Sequence, residues 1–520
     1  MKIKPIYIPF LVAFILIAGI SIGITLTFIY QATTLKTTSE NRNKLNRLIH
    51  LIENEYVDEI DTDSIVNIAL NGILEQLDPH SVYIDPENYE YIEENMRGNF
   101  VGIGINFYVY KDTLTVIRTI ENGPSEKAGL KAGDRILTAD NDTIFGKKLA
   151  SDALVAKLKG VKDSEVALRV FRKADNKFYN FNVKRDVIPL KSVDVGLQLD
   201  ENTGYIKINR FAETTYTEFK TALEKLNKLN INKLIVDLRD NGGGYVDAAI
   251  LIADDFLENG KRIVSTKYKK GEEENTYATS EGLYEQGELF ILINENSASS
   301  SEIIAGAIQD NDRGTIIGRR SFGKGLVQRE SYFGDGSAVR LTVARYYTPT
   351  GRSIQKDYSD RERYFYHYWD ETEETKDEDI PLVDSLKFYT PQGKIVYGGG
   401  GIYPDIYIAD DEMEDESVLY MMNSALASNF VFETIDKNRN NFQNLTLDAL
   451  EEKLKANHNY YTEFRNFLNR QNIHLSSLDE NRKIIEKYLK AEFIRQLFSE
   501  ETYYKSLLQE DVMVKKVFEM

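Results

Sequence analysis

Between Pro189 and Pro404, apolar runs of strand length alternate with amphipathic runs of helix length. That alternation restricts the fold more than any other feature of the chain. GYIKINRF (204–211), KLIVDLRD (233–240), ELFILIN (288–294) and GTIIGRR (314–320) read as strands. TEFKTALEKLNKL (217–229), VDAAILIADDFLENG (246–260) and SSEIIAGAIQDN (300–311) read as helices between them. Strands joined by helical crossovers lie side by side, and the helices cover their faces, so the expectation is an α/β layer domain.

The flanking regions obey other rules. From Phe100 to Asp186 the chain is β-rich: FVGIGINFYVY, TLTVIRTI, SEVALRVFR and KFYNFNVKR, with one helical stretch, LASDALVAKLKG. Residues 39–98 and 411–520 read as helical, with Asp61 or Asp63 as an N-cap in the first of these. RERYFYHYWDETEETKDEDIP (361–381) is an acidic, aromatic insertion without a clear period. Residues 6–29 carry no charge, and Lys2 and Lys4 precede them. A run of that length can span a bilayer, and the lysines would stay cytoplasmic. The expectation is an uncleaved single-pass anchor in the cytoplasmic membrane, with the rest of the chain extracytoplasmic (periplasmic).

Composition excludes several functions. The formal net charge of −18 argues against nucleic acid as a partner. With no cysteine, disulfides, thiolate catalysis and cysteine-ligated zinc are out.

NENSASSSEI (294–303) places its serines on the turn between a strand and a helix. Ser299 and Glu302 fit the S-x-x-E capping box, which is a purely structural use of the tract. A nucleophile there would need a base and oxyanion donors. His50, His80, His367, His458 and His474 all lie outside the α/β core proper. The remaining base for a serine is a lysine made neutral by an apolar setting, and Lys324 in RRSFGKGLVQ is the candidate. Residues 318–324 also imitate a nucleotide-binding G-x-x-x-x-G-K loop. That loop needs Ser or Thr next and then a helix, whereas Gly325 and a strand-like run follow. DLRDNGGG (237–244) offers backbone N–H groups after a strand, as an oxyanion hole requires, or is a simple turn.

VGIGI (101–105) followed by AGLKAGDRI (128–136) resembles a PDZ domain. DLRDNGGG, SASSSEIIAGAIQDN, GRRSFGKGLVQ, LTVARYYTPTGRSIQ and GGGGIYPDI, in that order, resemble the carboxyl-terminal processing peptidases, or tail-specific proteases. The resemblance implies a crotonase-like α/β protease core preceded by a PDZ domain, with helical N- and C-terminal regions. It implies a Ser–Lys dyad of Ser299 and Lys324, with Gln328 orienting the lysine. It implies oxyanion donors at the backbone of Gly243, or a neighbour, and Ser300, with Glu302 and Asp310 in support. No metal or cofactor is expected. Ser300 stands where the family commonly has alanine, and Ser321 where it has threonine. The PDZ would take substrate C-termini at Val101, Gly102, Ile103, Gly104 and Ile105, whose apolar members suggest apolar tails.

The expected divisions are 1–38 for cytoplasmic stub and anchor, 39–98 for a helical lid or dimerisation region, 99–186 for the PDZ, 187–410 for the protease core and 411–520 for C-terminal helices. The expected function is an endopeptidase acting on the tails of extracytoplasmic proteins. The reading from another class is a catalytically silent PDZ scaffold at the membrane. A homo-oligomer or an adaptor protein is also left open.

Overall fold

The computed structural model describes residues 39–361, 364–365, 386–409, 415–456 and 459–520. The expected anchor at 6–29, most of the acidic insertion, His367 and His458 lie outside the described residues. Among the described residues, no helix is long and apolar enough to cross a membrane. The chain divides into two compact units, one ending at Asp85 and the other running from Pro86 to Met520.

The first unit contains helices α1 (Ser39–Glu55) and α2 (Thr62–Leu74) and a short strand β1 (Val82–Ile84). Asp61 is the N-cap of α2, although its side chain makes no capping hydrogen bond. Leu45 and Leu48 are 39% and 54% exposed.

The second unit opens with α3 (Pro86–Arg97) and then builds the PDZ domain. Its strands are β2 (Asn99–Gly102), β3 (Ile105–Val109), β4 (Leu114–Thr119), β5 (Asp134–Ala139), a two-residue β6 (Asp142–Thr143), β7 (Glu165–Arg172), β8 (Lys177–Lys184) and β9 (Asp186–Pro189). Helices α4 (Pro124–Ala128) and α5 (Ser151–Leu158) complete it. The strand order is β3-β4-β5-β7-β8, with β6 on β5, so β3 is an edge strand. In β7, Val166, Leu168 and Val170 are buried while Glu165, Ala167 and Arg169 are exposed. This is the period-two pattern of a half-buried strand.

The protease core is a sheet of β10 (Val193–Gln198), β11 (Thr203–Ile208), β12 (Lys233–Asp237), β15 (Glu288–Ile293), β16 (Thr315–Gly318) and β21 (Ile406–Tyr407). β10 and β11 are antiparallel; from β11 onward neighbours run parallel. Helices α6 (Thr215–Asn227), α7 (Val246–Asp254) and α8 (Ser300–Asp310) share one hydrophobic core with Ile206, Val236 and Ile291. The opposite face, with Tyr205, Ile235 and Phe290, packs on Leu508, Met513, Val514 and Val517 near the C-terminus. Both faces are covered, which is why Leu289 to Ile293 are apolar at every position rather than at alternate ones.

A second sheet has antiparallel neighbours. It joins β17 (Leu326–Tyr332) to β18 (Ala338–Tyr347), β18 to β13 (Arg262–Tyr268), and β13 to β14 (Glu273–Tyr277). The alternation did not anticipate the β13–β14 hairpin. A small pair, β19 (Lys387–Tyr389) and β20 (Ile395–Tyr397), follows. The C-terminal region is helical as expected: α9 (Glu416–Asn423), α10 (Leu426–Lys437), α11 (Leu447–Ala456), α12 (Tyr460–Arg470), α13 (Arg482–Leu497), α14 (Glu500–Leu508) and α15 (Val512–Phe518). Phe430, Val431, Phe464, Phe467 and Phe493 are among the side chains of its own core.

Candidate active site

Strand β15 ends at Ile293 and α8 begins at Ser300, so the serine tract is the turn between them. Ser299 is the N-cap of α8, with φ +56° and ψ −112°. A side chain with Cβ rarely holds that conformation, and strain of this kind gathers where a turn must present one group. The capping relation expected from S-x-x-E is present: the Glu302 carboxylate accepts the Ser299 N–H at 2.8 Å.

The serines differ in what their hydroxyls do. Ser297 donates to the Leu238 carbonyl at 2.8 Å, Ser300 to that of Gly244 at 2.9 Å and Ser301 to that of Asn241 at 2.9 Å. Three hydroxyls are thus spent sewing the tract to the glycine turn. Ser299 donates to no carbonyl among the described residues.

The glycine turn follows β12 and lies directly against Ser299. At Gly243, with φ +98°, an added Cβ would sit 2.8 Å from the Ser299 Cβ and 3.1 Å from the Ser300 nitrogen. At Gly244, an added Cβ would fall 2.0 Å from the Phe211 carbonyl oxygen. The Gly243 N–H donates to the Asn241 side chain at 2.9 Å, so the expected oxyanion donor is already engaged within its own turn. The N–H groups of Ser300 and Gly244 donate to no acceptor among the described residues. Ser300 is the first residue of α8, where a helix leaves its N–H groups unpaired.

Lys324 lies on the loop between β16 and β17, held from both sides. Glu302 is fully buried, and its carboxylate accepts the Ser321 hydroxyl at 2.6 Å and the N–H groups of Gly323 and Lys324 at 2.7 and 2.8 Å. Burial pushes the Glu302 carboxyl above its ordinary range, against the pull of these donors. Gly325 donates to the Gln355 side chain at 2.8 Å, and Lys356 N–H donates to the Gly323 carbonyl at 3.0 Å. The Lys356 ammonium stands 3.8 Å from the centre of the Phe322 ring. β17 begins at Leu326, so Lys324 precedes a strand and a nucleotide loop is absent at this position.

Of the other expected residues, Gln328 lies on β17, where its amide donates to the Thr342 hydroxyl at 3.2 Å. Asp310 ends α8, and its carboxylate accepts Thr350 at its hydroxyl (2.6 Å) and Arg352 at 2.7 Å, which pins the TPTGR turn. In the PDZ, Val101 and Gly102 belong to β2, Ile103 and Gly104 form the turn, and Ile105 opens the edge strand. Gly104 has φ +70°, and its carbonyl accepts the Ile120 N–H at 3.0 Å. Ile103 is 2% exposed inside the PDZ core, and Ile105 packs against that core.

One expected residue does more than the sequence reading gave it, and one residue escaped that reading. Glu302 does more than cap a helix: it joins the serine turn to the lysine loop. Tyr346, within the quoted LTVARYYTPTGRSIQ, reaches the same two places.

A strained serine turn, an adjoining glycine turn and a lysine loop on an α/β sheet, behind a PDZ domain, define a serine-type peptidase. Residues 202–360 match Peptidase family S41 and residues 101–184 a PDZ domain. Residues 27–88 match the activating protease CtpB N-terminal domain, and residues 418–499 a family of unknown function, DUF8443. A carboxy-terminal-processing protease of Bartonella bacilliformis is 35% identical over 65% of this chain and 79% of its own length. A probable CtpA-like serine protease of Staphylococcus aureus is 33% identical over 67% of this chain and 70% of its own. Among solved structures, the photosystem II D1 C-terminal processing protease is 24% identical, covering 70% of this chain and 86% of that one, with a TM-score of 0.36. The chain belongs to the S41 family of carboxy-terminal-processing peptidases.

Proposed function

We propose that this serine-type peptidase cleaves with a Ser299–Lys324 dyad and takes protein C-termini on its PDZ domain. The observation that carries the reading is the Ser299 turn. It is strained, its hydroxyl donates to no neighbouring carbonyl, and it shares the Glu302 carboxylate with the Lys324 backbone. Neutral Lys324 takes the proton from Ser299 Oγ as Oγ attacks the substrate carbonyl. The N–H groups of Ser300 and of the glycine turn face the developing oxyanion. The proton then passes to the leaving amine, and water resolves the acyl-enzyme. With Nε2 of Gln328 directed at Thr342, its Oε1 is the atom left to orient the lysine. The edge strand β3 supports tail capture, since a peptide can add to it as a further strand. Apolar tails suit Val101 and Ile105. An extracytoplasmic location on an N-terminal anchor, and the five-part division of the chain, belong to the same proposal.

Cleavage of an unfolded polypeptide with an apolar tail tests it. Ser299→Ala and Lys324→Ala should each lower kcat by at least about 1,000-fold without unfolding the protein. Full activity in either variant would sink the dyad. Amidating the substrate's C-terminus should raise KM; an unchanged KM would remove the carboxylate from recognition.

A further inference from the structure

We propose that Tyr346 is a positioning residue that fixes the separation of Ser299 and Lys324; the inference rests on the dyad reading above. Tyr346 lies on β18 and is 2% exposed. Its hydroxyl is 2.6 Å from the Lys324 carbonyl oxygen and 3.1 Å from that of Ser299. Its own N–H donates to the Gly325 carbonyl at 3.0 Å. Glu302 does the complementary work, accepting the N–H groups of the same two residues, each at 2.8 Å. Ser299 and Lys324 therefore share a carboxylate that accepts both N–H groups and a phenol whose single O–H lies between both carbonyls, closer to that of Lys324.

The consequence is geometric. Ser299 belongs to the turn after β15 and Lys324 to the loop before β17, so no single element sets the distance between them. The Glu302–Tyr346 ring of hydrogen bonds closes that gap. Tyr346 is itself fixed from the second sheet, where Thr266 of β13 lies opposite it. Movement of that sheet would be passed to the base and the nucleophile together. A phenol suits the task because its rigid ring reaches across the interface and carries one donor at the tip.

Tyr346→Phe keeps the ring and removes the donor. The expected result is a fall in kcat of about 10- to 100-fold with KM unchanged, because a displaced base costs rate rather than binding. Labelling of Ser299 by a fluorophosphonate should slow by the same factor. The alkaline rise of the pH–rate profile should move upward as the lysine leaves its setting. Replacing Tyr346 by 4-aminophenylalanine restores a donor at the same place and should recover most of the rate. Wild-type kcat and pH profile in a folded Tyr346→Phe protein would overturn the proposal. Should that variant fail to fold, the aminophenylalanine protein carries the test alone: folded with its donor but inactive, it overturns the proposal; folded and active, it supports it. Ser299→Ala and Lys324→Ala run beside these variants separate the two levels. If either is active, the dyad itself is wrong; if both are inactive and Tyr346→Phe is wild type, only the positioning role fails.

Discussion

Asp237, Glu302 and Asp255 are three core carboxylates, each no more than 2% exposed, and what faces each decides its proton affinity. For Asp237, burial works against ionisation, but the guanidinium of Arg239 and the ammonium of Lys207 hold its carboxyl well below the usual range. Asp255 forms no ion pair among the described residues, and the pull of Lys220 is too weak to offset its burial. One oxygen accepts the Leu283 N–H at 3.2 Å, and the other has no hydrogen-bond partner among the described residues. Burial pushes its carboxyl up to about 6. The folded protein thus binds this proton more tightly than the unfolded chain, where an aspartate titrates near ~3.9. The contribution is fully present below about pH 4 and is lost as pH rises through about 6. The shift corresponds to roughly 2–3 kcal/mol. Asp255→Asn should therefore be more stable than wild type at pH 8 by about 1–3 kcal/mol, with the advantage gone at pH 4. Urea denaturation at pH 4, 6 and 8 measures it. Parallel curves at all three would mean that Asp255 stays ionised in the fold.

At the scale of elements, two strand-to-helix turns from neighbouring strands make the site, and their closeness dictates glycine. Gly243 has φ +98°, and an added Cβ would meet Ser299 Cβ at 2.8 Å and the Ala298 carbonyl at 2.9 Å. Gly243→Ala must move one turn away from the other. A displacement near ~1 Å at a reacting group costs about 100-fold in rate. The expected outcome is that loss in kcat, with the helices and sheet intact by circular dichroism; wild-type kcat would mean the two turns can separate without harm. This is also why so much of the site was legible. Gly242–Gly244, S-x-x-E and F-G-K-G are local motifs whose backbone demands show directly in residue type. The β13–β14 hairpin was not legible because KKGEEENTY carries almost no apolar signal and β14 is largely exposed. Tyr346 reads, from its neighbours alone, as one more buried aromatic of a strand. Its role lies in which two carbonyls it meets, and they come from loops 22 and 47 residues away. The Gly243 N–H partner was not legible for a similar reason: Asn241, two residues back, reads only as turn composition.

Within the unit from Pro86 to Met520, the C-terminal helices tie the PDZ domain and the protease core together. Their last helix, α15, covers the sheet face opposite α6–α8, and Asp511 just before it holds Arg239 at 2.8 Å, beside the glycine turn. The preceding bundle grips the PDZ. Asp436 of α10 takes Arg135 of β5 through both oxygens, at 3.0 and 2.5 Å, and Lys173 at 3.0 Å. Tyr108 of the edge strand stacks edge-on against Phe432, and Arg118 pairs with Glu500. Burial opposes ionisation of Asp436, yet Arg135 and Lys173 hold its carboxyl below the usual range. A depressed value means that this contribution is present above the ordinary carboxylate pKa and is lost as pH falls through the folded-state value. Asp436→Ala would leave Arg135, only 11% exposed, without its carboxylate. Breaking a buried pair in this way costs about 3–5 kcal/mol. Since the PDZ and the helical bundle each have their own core, the loss should fall on their junction rather than on either part. The expected outcome is faster amide exchange in β5 and α10 with unchanged protection in β11 and β12. Arg135→Ala added to Asp436→Ala should cost little more than Asp436→Ala alone, because the pair is already broken. Wild-type exchange at the junction in Asp436→Ala would mean that the PDZ is held by the aromatic and Arg118–Glu500 contacts instead.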